Sequence, residues 1–90
     1  MIKAVVVGYG NIGQYVIEAL KESPDFEIAG LVRRSVPTEL PAELAGIQVV
    51  DDVKKLAVQP DVAILCTPTR SVPEEAKKYL ALGMSTVDSF

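Results

Sequence analysis

Six residues, Gly8-Tyr9-Gly10-Asn11-Ile12-Gly13, follow the apolar run Ile2 to Val7 without a spacer and open a segment of helical periodicity. This order of strand, glycine turn and helix constrains the chain more than any other feature, because each glycine answers a separate steric need. One allows a tight turn, one lets backbone approach a pyrophosphate, and one permits close packing of helix on strand. Free N–H groups and the positive end of the helix dipole then favour a bound phosphate. The pattern implies a dinucleotide site. An ordinary strand-to-helix turn that uses glycine for geometry alone is the plainer alternative, and it leaves the charged pair at the end of the next strand unexplained.

The β-branched, nearly continuous apolar stretch Ile2 to Val7 reads as a strand covered on both faces, at the centre of a parallel sheet. From Asn11 the apolar residues Ile12, Val16, Ala19 and Leu20 recur at helical spacing until Pro24, with Glu18, Lys21 and Glu22 on the wet side. A second strand is predicted from Phe26 to Val32, with Gly30 permitting close contact, and it ends at Arg33-Arg34. Pro37 and Pro41 mark residues 35–46 as a loop with at most a short helical turn around Ala42 to Ala45, stopped by Gly46. Ile47 to Val50 is a short third strand, Asp51 or Asp52 caps a brief helix through Ala57, and Pro60 precedes a fourth strand at Val62 to Leu65. Ser71 and Glu74 form a capping box, Val72, Ala76, Tyr79 and Leu80 repeat at helical spacing, and Gly83 supplies the stop before a fifth strand at Ser85 to Val87.

Strands alternating with helices call for right-handed crossovers and a mostly parallel sheet, so the expected architecture is a doubly wound α/β Rossmann fold of order 3-2-1-4-5. At 90 residues the chain is one dinucleotide-binding domain, 1–90, and short for two mononucleotide halves. The last residues read as a strand without a polar tail, so a truncated N-terminal fragment of a longer enzyme is expected. Ligands in such sheets bind beyond the carboxyl ends of the strands. Gly8 to Gly13, Arg33-Arg34 and Cys66-Thr67-Pro68-Thr69 converge there.

Composition narrows the remaining classes. A net charge of −3 disfavours a nucleic-acid partner, so any anion site has to be local. The chain has no histidine, which removes His-based metal and triad chemistry, and no metal site is expected. One cysteine, Cys66, leaves no internal disulfide and suits a reducing, cytoplasmic setting. No apolar stretch reaches the roughly 18 residues of a membrane span, and no signal-peptide pattern is present.

About 20 residues past the hexad, NAD-selective sites place an acid on the ribose 2′-hydroxyl. This chain has Arg33 and Arg34 instead. A guanidinium holds a 2′-phosphate bidentately and can stack its plane on the adenine, so NADP is the expected cofactor. Hydrogen bonds to charged groups contribute roughly 1.5–3 kcal/mol each, enough for about one to two orders of magnitude of preference. The plainer reading is a pair of solvated arginines at a strand end. Cys66 ends a buried strand, where cysteine behaves as a small hydrophobe. Thr67, Pro68 and Thr69 read either as a loop under the pyrophosphate or nicotinamide ribose, or as a simple helix-entry turn. Asp88 at the last strand end is open to orienting a substrate or the nicotinamide carboxamide, or to a solvated role. Glu74 and Glu75 suit a first helical turn through the dipole alone. Tyr9 and Asn11 are expected to matter more through backbone than through side chain.

The segments Val5-Val6-Val7-Gly8-Tyr9-Gly10-Asn11-Ile12-Gly13, Pro24 to Gly30, Arg33-Arg34, Cys66-Thr67-Pro68-Thr69 and Thr86-Val87-Asp88-Ser89-Phe90 together resemble the meso-diaminopimelate dehydrogenase family over the whole chain. The hexad is widely shared, whereas its Tyr-Gly-Asn filling, the tandem arginines and the Val-Asp-Ser-Phe ending are more specific. The resemblance implies NADP-dependent, reversible oxidative deamination of meso-2,6-diaminoheptanedioate to L-2-amino-6-oxoheptanedioate and ammonia, in lysine biosynthesis. It implies cofactor contacts at Tyr9, Gly10, Asn11 and Ile12, at Val32, Arg33 and Arg34, and at Cys66, Thr67, Pro68 and Thr69. It also implies a homodimer, with an amino-acid substrate site and catalytic residues downstream of Phe90, so the fragment alone is expected to be inactive. Other amino-acid-pathway reductases, such as dihydrodipicolinate reductase or homoserine dehydrogenase, share such an N-terminal half. A non-catalytic nucleotide-binding module is the non-enzymatic alternative.

Overall fold

The computed structural model describes residues 2–9, 11–33, 46–66 and 72–88. They form five parallel strands and two α-helices: β1 (Ile2–Val7), α1 (Asn11–Glu22), β2 (Phe26–Val32), β3 (Val49–Val50), β4 (Val62–Leu65), α2 (Val72–Ala81) and β5 (Ser85–Asp88). The sheet order is β3-β2-β1-β4-β5, as expected from the alternation of strands and helices. β1 lies at the centre, and Ala4, Val5 and Val6 are fully buried, because the strand is covered on both faces.

Side-chain alternation divides the core into two layers. Ala4, Val6, Leu31 and Val62 pack with Ile17 and Leu20 of α1. Val5, Val7, Val32, Ala63 and Leu65 pack on the opposite face with Tyr79 of α2 and with Val53. The fold is therefore doubly wound, with α1 and α2 covering opposite faces of the sheet. Pairing of β1 with β2 shifts between Ala4 and Val5, whose partners are Ile28 and Gly30, so Ala29 has no opposite residue on β1.

Helix faces differ from the periodicity in two places. Among the described side chains of α1, Gly13, Ile17 and Leu20 are buried, Val16 is half-buried, and Ala19 is exposed. Gly13 sets this rotation, because a Cβ there would lie 2.5 Å from the Gly8 carbonyl oxygen. Only a glycine-sized residue faces the strand end, which turns Ile17 inward and Ala19 outward. In α2, Tyr79 is fully buried while Leu80 is 56% exposed. The C-terminus of α2 explains this: Gly83 has φ of 87°, its N–H donates to the Leu80 carbonyl at 3.0 Å, and the Met84 N–H donates to the Tyr79 carbonyl at 3.1 Å. This paired arrangement is the Schellman closure, and it folds Met84 back beside Tyr79 in the same core layer.

Two elements are shorter than expected. β3 is confined to Val49–Val50, although the Gln48 carbonyl still accepts from the Leu31 N–H at 2.9 Å. The brief helix is a 3-10 turn, Val53–Lys55, capped by Asp52, whose carboxylate accepts from the Lys54 N–H at 3.0 Å. The Gln48 side chain ends the turn by accepting from the Ala57 N–H at 3.0 Å and donating to the Lys55 carbonyl at 3.3 Å. Gly30 is required by packing, since a Cβ there would collide with Leu56 and lie 2.9 Å from the Gln48 carbonyl oxygen. Of the loop expected at 35–46 only Gly46 is described, at φ of 81°, and the Ser71 half of the capping box lies outside the described residues.

Candidate functional site

The glycine turn is built by the end of β1. Gly8 takes φ of 92°, a left-handed conformation that side-chain-bearing residues rarely adopt. Its N–H donates to the Val32 carbonyl at 2.8 Å, so the turn is tied to the last residue of β2. Across β1, the Cys66 N–H donates to the Val7 carbonyl at 2.8 Å, and the Arg33 N–H donates to the Val50 carbonyl at 2.9 Å. These bonds extend the sheet ladder one residue past the strands. They bring Gly8, Arg33 and Cys66 together at the carboxyl edge, next to the start of α1 at Asn11.

Several sequence-predicted site residues are placed directly. Gly8, Tyr9 and Arg33 are each half-buried, Gly13 and Val32 are buried, and Asn11 and Ile12 begin α1. This edge of the sheet thus presents backbone at β1 and α1 and a cationic side chain from the end of β2. Cys66 is half-buried against the α1 layer, and its thiol lies 3.8 Å from the Ile64 carbonyl oxygen, the placement of a small packed hydrophobe. Asp88 ends β5 opposite Leu65, on the same edge of the sheet. Gly10, Arg34, Thr67, Pro68 and Thr69 lie outside the described residues.

Tyr9 is where sequence reasoning falls short. Its place within the turn points to its backbone rather than its side chain, yet the Arg33 guanidinium lies over the Tyr9 ring, 5.4 Å from the centroid. The ring also packs against the α1 core layer. Its Cδ1 would be 3.9 Å from a Cβ at Gly13, so the first turn of the helix leaves a berth for the aromatic face. A tyrosine between two glycines has no periodicity to mark it, and only the fold shows that the neighbouring strand end carries its cation.

The residues present fit a dinucleotide. A side chain at position 13 would crowd the Gly8 carbonyl, so this turn has the close helix–strand packing that the third glycine of a dinucleotide turn provides. The fixed positive charge of Arg33 suits an anionic adenosine ribose. Among the described residues no cluster of His, Cys, Asp or Glu is arranged to hold a metal ion, and no helix is long and apolar enough to cross a membrane. An open groove lined by Ile2, Pro24, Asp25 and Phe26 lies at the opposite end of the sheet and has no part in the site.

Comparison with known proteins agrees with this geometry. Residues 2–87 match the family described as "Oxidoreductase family, NAD-binding Rossmann fold". The chain is 61% identical over 89 residues to meso-diaminopimelate D-dehydrogenase of Bacteroides fragilis, an alignment covering 99% of this chain and 29% of that protein. It is 33% identical to C. glutamicum DAP dehydrogenase, solved in complex with DAP, with a TM-score of 0.78 over 99% of this chain and 27% of that one. The crystal structure of an engineered D-amino acid dehydrogenase bound to NADP+ is similar to the same degree, at 33% identity, a TM-score of 0.78, and 99% and 27% coverage. The chain therefore spans less than a third of the length of these relatives. On fold, glycine turn and whole-chain match together, the chain belongs to the oxidoreductase family with an NAD-binding Rossmann fold, as a homologue of the NAD(P)-binding portion of meso-diaminopimelate dehydrogenases.

Proposed function

We propose that the chain binds NADP across the carboxyl ends of β1, β2 and β4, as the N-terminal cofactor-binding portion of a meso-diaminopimelate dehydrogenase. The observation that carries this reading is the Arg33 guanidinium held over Tyr9, beside the glycine turn and in place of the acid that NAD-selective sites use. Backbone of Gly8 to Gly13 would face the pyrophosphate at the start of α1. Val32, Arg33 and Arg34 would hold the adenosine ribose and its 2′-phosphate, and Cys66, Thr67, Pro68 and Thr69 would run beneath the remainder of the cofactor.

The complete enzyme would oxidatively deaminate the D-configured centre of meso-2,6-diaminoheptanedioate to L-2-amino-6-oxoheptanedioate and ammonia. When bound, the nicotinamide supplies the hydride-accepting carbon. The role of this chain is to fix that carbon relative to the substrate, while substrate-binding and catalytic residues come from beyond Phe90. We place the complete enzyme in the cytoplasm as a homodimer. The 61% identity over essentially the whole chain supports the substrate assignment, and the NADP+ complex of the engineered relative supports the cofactor.

The test is an assay of the intact protein with NADP and meso-diaminopimelate, with homoserine as the control substrate. NADP reduction with the first and none with the second is expected, and a folded protein that reduces no NADP with meso-diaminopimelate refutes the activity. The cofactor assignment is tested separately by Arg33→Ala/Arg34→Ala. The dissociation constant for NADP should rise at least about tenfold with little change for NAD, and equal losses for both cofactors would show that the arginines do not read the phosphate.

A further inference from the structure

We infer that Tyr9 is a positioning residue for cofactor choice: its ring presets the Arg33 guanidinium, so that part of the preference for a 2′-phosphorylated ribose resides in an aromatic side chain that does not itself touch the phosphate. The inference rests on the proposed role of Arg33 and extends it to a residue that no glycine pattern singles out.

Arg33 is held at both ends. Its backbone N–H is bonded to the Val50 carbonyl at 2.9 Å, and its guanidinium lies 5.4 Å from the Tyr9 ring centroid. The ring is seated in turn against the α1 core layer and within van der Waals reach of position 13. The Tyr9 ring attracts the guanidinium from one side, within cation–π range. The guanidinium N–H fork is the part that pairs with phosphate, and contact with a ring does not consume its donors. A free arginine loses rotamer entropy when it clamps an anion, whereas one already held against a ring has given up part of that freedom beforehand.

NAD carries no group at the ribose 2′ position for the guanidinium fork to clamp. The ring therefore acts on the ratio of NAD to NADP dissociation constants, a quantity that general loosening of the turn does not move. Tyrosine and phenylalanine both present a ring face, so the hydroxyl is dispensable for this purpose.

The experiment measures both dissociation constants by calorimetry on the intact protein, for the native sequence and for Tyr9→Phe, Tyr9→Leu, Tyr9→Met, Arg33→Ala and the Tyr9→Leu/Arg33→Ala double variant. Tyr9→Phe should keep the NAD-to-NADP ratio. Tyr9→Leu and Tyr9→Met should each lower it about three- to tenfold, with no further loss when Tyr9→Leu is added to Arg33→Ala. Tyr9→Met guards against a leucine variant that fails to fold. An unchanged ratio in Tyr9→Leu and Tyr9→Met, with a collapsed ratio in Arg33→Ala, overturns the inference and leaves the phosphate reading standing. An unchanged ratio in Arg33→Ala removes the phosphate reading and this inference with it. An equal drop on adding Tyr9→Leu to either background means that the ring meets the cofactor directly, which also overturns the positioning role.

Discussion

At the scale of single residues, Gly13 is the most exacting position in the turn. A methyl group there must displace the Gly8 carbonyl, which is 2.5 Å from the ideal Cβ position and belongs to the backbone. Gly13→Ala should therefore cost about 1–3 kcal/mol of stability, the range for forced overpacking, and should weaken NADP and NAD alike by tilting α1. Thermal unfolding and cofactor titration check the two halves of that statement, and an unshifted melting temperature would contradict it. Gly8 and Gly13 were legible in the sequence because a turn between a buried strand and a helix has few steric solutions. The Tyr9 ring was not, because its partner comes from the end of β2, 24 positions along the chain, and local pattern carries no information about such a pairing.

At the scale of elements, α1 shows why periodicity locates a helix more reliably than it orients one. Ile12, Val16, Ile17, Ala19 and Leu20 are all apolar, so several stripes satisfy helical spacing. The contact between Gly13 and Gly8 selects the stripe through Ile17 and Leu20. Ile17→Ala should cost about 2–5 kcal/mol as a buried truncation, and Ala19→Gln about 0.5 kcal/mol or less as a surface change. Urea unfolding of the two variants distinguishes this helix face from the one that periodicity alone suggests. After β3 the sequence suggests a helix through Ala57, because Asp52 is a recognisable capping residue, whereas the Gln48 amide that ends the 3-10 turn works across a gap of seven to nine residues.

The same turn carries an ion pair, Lys55 Nζ to Asp51 Oδ1 at 2.7 Å. The hydrogen bond from Lys55, reinforced by its charge, holds the Asp51 carboxyl below its ordinary value, and the reciprocal bond raises Lys55. The Asp51 contribution is present above the ordinary carboxylate value and is lost as pH falls through the lowered one. The Lys55 contribution is present below the ordinary lysine value and is lost as pH rises through the raised one. Between those limits the pair gives no pH dependence, and as an exposed pair it adds little stability. Titration followed by NMR should show a depressed Asp51 midpoint, and Asp51→Asn should return Lys55 toward its ordinary value. A Lys55 midpoint unmoved by that substitution would mean that the contact does not persist in solution.

For the whole molecule, the order β3-β2-β1-β4-β5 follows from connection rules that act on any chain of alternating strands and helices, which is why the alternation alone makes it legible in the sequence. β1 is bonded on both sides and buried on both faces, whereas β3 is a two-residue edge strand. Amide exchange should therefore be slowest across Ala4 to Val7 and much faster at Val49 and Val50, and comparable rates would argue against a β1-centred core. The unpaired Ala29 was invisible in the sequence, since Ile28 to Val32 is apolar apart from Gly30 and shows no break in pattern. Yet it decides which side chains face α1: Ile28 and Leu31, three apart, would lie on opposite faces of a regular strand and instead share one layer. With one residue more than its neighbour, β2 carries its irregularity midway along the strand, so the register that seats Val32 against Val7 and bonds it to Gly8 is set above Ala29, apart from the Pro24-Asp25 corner.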